Sequence, residues 1–117
     1  MVTNFENITF DLTKQELELV PIILIGMQRY IGSERAIKGP KIVEGLKINR
    51  PKLKCSEPRL RKIINYIRAK GLAPIMATSK GYYWSNNKDE IKKQIQSLNE
   101  RANGILAAAN GLKIFIE

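Results

Sequence analysis

The chain has 117 residues, 44% of them hydrophobic, which is enough for one compact domain with a real core and too little for two ordinary domains. No apolar run approaches the roughly 20 residues of a membrane-spanning helix, since the longest, residues 19–27, contains Pro21 and Gly26. The first residues lack the basic-then-apolar pattern of a signal peptide, and Cys55 has no second cysteine to pair with. These features predict a cytoplasmic protein without a membrane span.

The formal net charge of +9 is concentrated in the middle of the chain. Residues 28–80 carry 14 Lys or Arg against three Glu, whereas residues 1–27 have a balance of −3 and residues 81–117 a balance of +1. A concentrated positive field attracts polyanions and speeds their association, so this distribution predicts a nucleic-acid partner. An anionic membrane surface is the weaker alternative, because it calls for a basic amphipathic helix with bulky apolar residues left exposed.

A first helix, the core helix, is predicted over about residues 14–31. Thr13 and Glu16 have the spacing of a capping box, and Leu12 and Leu17 that of the accompanying hydrophobic staple. Pro21 predicts a kink or a restart within this helix. Apolar residues recur at spacings of three and four, widened by further apolar neighbours, so burial on most sides is expected; they are Leu17, Val20, Ile23, Leu24, Ile25, Met27, Tyr30 and Ile31.

Two shorter elements should follow. Residues 35–38 form a candidate brief strand, and Gly39-Pro40 opens a second helix over about residues 40–47, with proline at the position that tolerates it. Residues 47–55 contain Asn49, Pro51 and several lysines, which is typical of a loop.

The third helix, over about residues 57–70, has the clearest pattern. Ser56 is its expected cap, and Gly71 its terminator. Its apolar stripe consists of Leu60, Ile63, Ile64 and Ile67. The residues that fall off this stripe, most of them basic or polar, are Arg61, Lys62, Asn65, Tyr66, Arg68 and Ala69.

A hairpin is predicted over about residues 75–85, with its turn at Thr78-Ser79-Lys80-Gly81. Asn87 and Glu90 then mark the start of a long helix within residues 87–117. Its apolar residues repeat in a strict four-three pattern that suits either a coiled-coil dimer or a helix folded back onto its own domain. They are Ile91, Ile95, Leu98, Ala102, Ile105, Ala109 and Leu112.

The order of helix, short strand, helix, basic helix and hairpin is that of a winged helix-turn-helix. The stretch from Ser56 to Arg68, then Gly71, then Thr78-Ser79-Lys80-Gly81-Tyr82-Tyr83, resembles small winged-helix proteins of phages and prophages. It is similar, more distantly, to the DNA-binding domain of biotin-ligase repressors. The resemblance implies DNA binding through the third helix and through the wing, which is the hairpin of about residues 75–85. The loop of residues 47–55 departs from the family pattern, because it is longer than the turn of the simplest helix-turn-helix.

We therefore predict an α+β, mostly α fold: a winged-helix domain over residues 1–86 and an amphipathic packing or dimerisation helix over residues 87–117. The third helix should enter the major groove of double-stranded DNA, where Asn65 is suited to adenine, and Lys80 should contact phosphate or the minor groove. Strand alternation should turn Tyr83 away from Tyr82 and Trp84, and we expect Trp84 in the core. The expected DNA-binding residues are Arg59, Arg61, Lys62, Asn65, Tyr66, Arg68, Lys80 and Tyr82.

No enzymatic activity, cofactor or metal is expected. The chain has no histidine, phosphate-binding loop or dinucleotide fingerprint, and Cys55 is expected to be a small, partly buried hydrophobe. The alternatives to DNA binding are a protein-interaction module that docks an acidic partner and a structured-RNA binder.

Overall fold

A computed structural model describes residues 11–117, so the first ten residues of the expected winged-helix domain lie outside the described part. The fold is mostly helical with one small antiparallel sheet, which confirms the α+β, mostly α class. The elements, in order, are α1 (Lys14–Met27), a 3-10 helix (Ser33–Arg35), α2 (Gly39–Asn49), α3 (Glu57–Ala69), β1 (Ile75–Thr78), β2 (Gly81–Trp84), α4 (Lys88–Leu112) and a 3-10 helix (Lys113–Ile116).

The capping box of α1 forms as predicted, with the Thr13 side chain accepting from the Glu16 amide and the Glu16 side chain accepting from the Thr13 amide. The helix contains Pro21 and ends at Met27, not near residue 31. The following residues leave the helix because they pair with the end of β2. The Trp84 amide donates to the Tyr30 carbonyl at 2.8 Å.

The expected burial of α1 on most sides is confirmed only in part: Ile22 and Leu24 are partly buried and pack against the core. Leu17 and Ile25 are exposed, and Ile31, beyond the helix, is exposed too. A single face of the helix packs into the core, and it includes a carboxylate. Its buried residues are Glu16, Leu19, Val20, Ile23 and Met27.

The expected strand at residues 35–38 is reduced to one residue pair. Residues 33–35 form a 3-10 turn, after which Ile37 makes an isolated antiparallel bridge with Tyr82. Both hydrogen bonds of this bridge measure 2.8 Å. Ile37 thus pairs with β2 in the manner of a third strand that is one residue long.

α2 is longer than expected and continues through residues that the sequence assigns to a loop. The Asn49 side chain donates to the Gly45 carbonyl at 2.8 Å, and the Arg50 amide donates to the Leu46 carbonyl at 2.7 Å, which completes the last turn. The helix stops at Asn49, because Arg50 precedes Pro51, and a residue before proline disfavours the helical conformation.

α3 supplies the centre of the core. Its cap is the Ser56 hydroxyl, which accepts from the Arg59 amide as the sequence predicts. All four stripe residues, Leu60, Ile63, Ile64 and Ile67, are buried and pack with residues of α1, with Leu46 of α2 and with Ile75 of β1. Burying four such side chains stabilises the domain by about 6–12 kcal/mol before chain entropy is counted.

The hairpin has the predicted turn, with Thr78 paired to Gly81 and Met76 paired to Tyr83. The aromatic residues alternate: Tyr83 is buried, whereas Tyr82 and Trp84 are partly buried and pack against the core. Trp84 therefore packs against the core, as expected, but it is only partly buried. Gly81 has φ +124°, and a Cβ there would overlap the Ile37 carbonyl, so the turn accepts only glycine.

The chain divides into two compact units, Met1–Asn86 and Asn87–Glu117. The second consists of α4 and the 3-10 turn that follows it. The Asn87 side chain caps α4 by accepting from the Asp89 and Glu90 amides. Within residues 11–117, no helix has the length and apolar character needed to cross a membrane.

Candidate nucleic-acid interface

The basic residues of the central segment fall into two groups. Eleven of the fourteen Lys and Arg between residues 28 and 80 are exposed. The other three, Arg59, Lys62 and Arg68, all lie on α3, are partly buried and have partners inside the domain. The three partly buried cations therefore hold the fold, and among the exposed cations Lys38 also has a partner in a distant segment, the Ser79 carbonyl.

Glu16 on α1 is the partner of two of these cations. Its side chain is buried, with Oε1 3.0 Å from Lys62 Nζ and Oε2 3.4 Å from Arg59 Nε. Burial raises the pKa of Glu16, but the Thr13 amide and the Lys62 ammonium outweigh it, so the net pKa lies below the ordinary value. Glu16 is thus an ionised carboxylate that joins α1 to α3.

The sequence predicts that Arg59 and Lys62 contact DNA, and in the structure both side chains contact Glu16. Arg59 also donates to the Lys54 carbonyl at 2.8 Å, which ties α3 to the preceding loop. Each side chain keeps about a third of its surface exposed: 37% for Arg59 and 32% for Lys62. Part of each side chain remains accessible, and the single carboxylate of Glu16 balances only one of the two positive charges.

Arg68 joins α3 to the hairpin. Its Nε donates to the Ile75 carbonyl at 2.8 Å, and one of its other nitrogens lies 3.5 Å from Asn65 Oδ1. Asn65 itself is partly exposed on the outer side of the helix, where the sequence places it. Tyr66 is partly buried against the core, and the Lys70 ammonium lies 5.8 Å from the centre of its ring.

The remaining predicted residues meet at a groove of about 220 Å³ between α3, the start of α2 and the hairpin turn. Arg61 and Tyr82 line it, with Leu60 beneath, while Lys80 is exposed at the turn beside it. Burial raises the pKa of Tyr82, and the nearby guanidinium of Arg61 lowers it in part. The groove brings a cation of the third helix close to the hairpin.

Two groove residues were not anticipated from the sequence as site residues. The Lys38 ammonium donates to the Ser79 carbonyl at 3.0 Å, so it holds the hairpin turn against the start of α2. Glu57, at the start of α3, is the one acidic residue among those that line the groove. The sequence places Lys38 directly before the predicted helix start at Gly39-Pro40. Its contact with Ser79 could not be predicted from the sequence, because the two residues lie 41 positions apart along the chain.

Cys55 is partly buried against the core, as predicted, and burial raises the pKa of its thiol. Among residues 11–117, no group of His, Cys, Asp and Glu side chains is arranged to hold a metal ion. No family model matches the chain, and no curated protein or solved structure is significantly similar to it.

Proposed function

We propose that this chain is a winged-helix protein that binds duplex DNA. It would control transcription or replication of a phage-like mobile element by occupying the DNA, without covalent chemistry. It would act in the cytoplasm of a bacterial host, on the nucleoid. The observation that carries the proposal is the joint position of α3 and the hairpin turn: the exposed Arg61 of α3 lines a groove together with Thr78, Ser79 and Gly81 of the turn, which also carries the exposed Lys80.

The element order supports a winged helix. α3 buries one apolar face and leaves a polar face outside, and the hairpin follows it directly. In a winged helix, a short strand between the first two helices pairs with the hairpin. The antiparallel bridge between Ile37 and Tyr82 occupies the corresponding place in this chain. A B-DNA major groove admits one helix, and a helix that is anchored on one face presents the other to base edges.

The charge distribution supports a polyanionic partner. The central segment, residues 28–80, exposes eleven cations and only three acidic residues, Glu34, Glu44 and Glu57. Phosphate contacts from the exposed cations would supply affinity, and the outer face of α3, at Arg61 and Asn65, would supply selectivity. Arg59, Lys62 and Arg68 would contribute mainly by fixing the position of α3.

A salt titration with matched variants tests the proposal. Binding to duplex DNA should weaken steeply with salt, and Lys80→Ala should lower the log-log slope by about one unit on every sequence. Arg61→Ala should cost about 1–3 kcal/mol on a preferred site and less on random duplex. Lys93→Ala, which removes an exposed charge from α4, is the control and should leave binding close to that of the parent.

The preferred site is obtained beforehand by selecting bound fragments from a random duplex library. A salt slope near zero would refute the electrostatic argument. Parent-like binding by folded Lys80→Ala and Arg61→Ala would show that α3 and the hairpin are not the contact surface. Retained binding to an acidic protein without duplex binding would indicate the protein-interaction alternative, and preference for a folded RNA competitor would indicate RNA.

We also propose that two copies pair through α4, because a DNA-binding dimer gains affinity and reads two half-sites. The seam that carries this proposal has the four-three spacing of a coiled coil from Ile91 to Leu112, and none of the α4 residues is buried.

A further inference from the structure

The two halves of α4 differ in chemistry. Residues 88–101 include seven charged side chains, so only the narrow seam of that half is apolar. Residues 102–112 include none, and their only polar side chains are Asn103 and Asn110. The four-three seam therefore runs from a charged helix into a helix that is apolar on nearly every side.

The charge-free half is also exposed. Its large apolar side chains and those of the following 3-10 turn keep between 44% and 86% of their surface accessible; they are Ile105, Leu106, Leu112, Ile114, Phe115 and Ile116. Clustered exposed apolar side chains of this size mark an interaction surface on a protein. A helix that is apolar all round is one that is covered on more than one side.

We propose that residues 102–116 join pairs of this chain into a bundle of more than two copies. The inference rests on the proposed pairing through α4 and is independent of DNA binding. A two-stranded coil covers chiefly the seam positions Ile105 and Leu112. Leu106, which is 60% exposed in the single chain, lies immediately beside the seam. Apolar residues next to the seam widen the stripe to the width found in bundles of several helices.

Charge argues for copies of this chain as the occupants. The chain carries +9, so identical copies repel one another wherever their basic surfaces approach. Residues 102–112 are the part of α4 where identical surfaces meet without like-charge repulsion, and Lys113 is the single charged residue of the proposed segment. A lipid surface is less suitable, because helices that lie on membranes combine an apolar face with a strongly charged one.

Sedimentation equilibrium of the full chain without DNA tests the inference. The parent should have a mass above that of two 13.3 kDa chains. Leu106→Lys should reduce it to that of a dimer, and Ala108→Lys, on the other side of the seam, should do the same. Ile48→Lys, which places the same charge at an exposed apolar site on α2, is the control and should keep the parent mass.

Three results would overturn the inference: a monomeric or dimeric parent, a mass unchanged by both substitutions in α4, or a mass lowered equally by Ile48→Lys. A monomeric parent that co-sediments with neutral phosphatidylcholine vesicles would assign the segment to lipid instead. Because DNA is absent from the experiment, failure of the proposed DNA binding leaves the outcome unaffected. Circular dichroism of each variant verifies that the helices are retained.

Discussion

The ion pairs of Glu16 allow a sharp test of how α3 is held. Glu16→Gln keeps the size of the side chain and an oxygen that accepts from the Thr13 amide, so the capping box can remain. The substitution removes the charge that binds Lys62 at 3.0 Å and Arg59 at 3.4 Å. Hydrogen bonds to charged groups contribute about 1.5–3 kcal/mol each, and partly exposed pairs much less. We therefore expect Glu16→Gln to cost about 2 kcal/mol.

Lys62→Met is the complementary change, because it keeps most of the aliphatic stem and removes the ammonium. It leaves Glu16 with Arg59 and the Thr13 amide, and we expect a cost of about 1–2 kcal/mol. The double variant should lose less than the sum of the single losses by about 1 kcal/mol, since both changes remove the same contact. Urea unfolding at pH 7 measures these values. Lys41→Met, at an exposed site on α2, is the control and should change stability by less than about 0.5 kcal/mol.

The same contact predicts a pH dependence. Because the pKa of Glu16 in the folded protein lies below its ordinary value of 4.5, its contribution is complete above pH 4.5 and is lost as the pH falls through the folded pKa. The stability difference between the parent and Glu16→Gln should therefore shrink in acid. Losses that add within about 0.3 kcal/mol, together with a difference that does not change with pH, would refute the structural role assigned to Glu16.

Two further predictions concern the turn and the cysteine. Gly81→Ala should destabilise the domain by more than about 2 kcal/mol in urea unfolding, because a Cβ overlaps the Ile37 carbonyl at a positive φ; Gly45→Ala, with open space inside α2, should instead be neutral or stabilising by up to about 1 kcal/mol. Cys55 should react with iodoacetamide at pH 8 more slowly in the folded protein than in urea, because burial raises its thiol pKa, and Glu16→Gln should speed the folded reaction by removing a nearby negative charge. A stable Gly81→Ala variant, or equal thiol rates with and without urea, would contradict these two expectations.

Local patterns in the sequence determined the elements of this protein. The cap at Ser56, the capping box at Thr13 and the buried stripe of α3 involve residues within a few positions of one another. So do the hairpin turn and its alternation of aromatic side chains. Such contacts depend on helix and strand periodicity alone, which is why the order and type of the main elements could be predicted.

Only the tertiary structure decided what the cations of α3 do. Arg59 and Lys62 look like surface residues in the sequence, yet they meet Glu16, which lies more than 40 positions earlier. Glu16 was recognised as a capping residue, but its burial depends on how α1 lies against α3. Likewise, α1 ends early because Tyr30 pairs with Trp84, more than 50 positions away. Helical periodicity tells which side chains leave the apolar stripe, whereas packing between distant segments determines which of them remain in water.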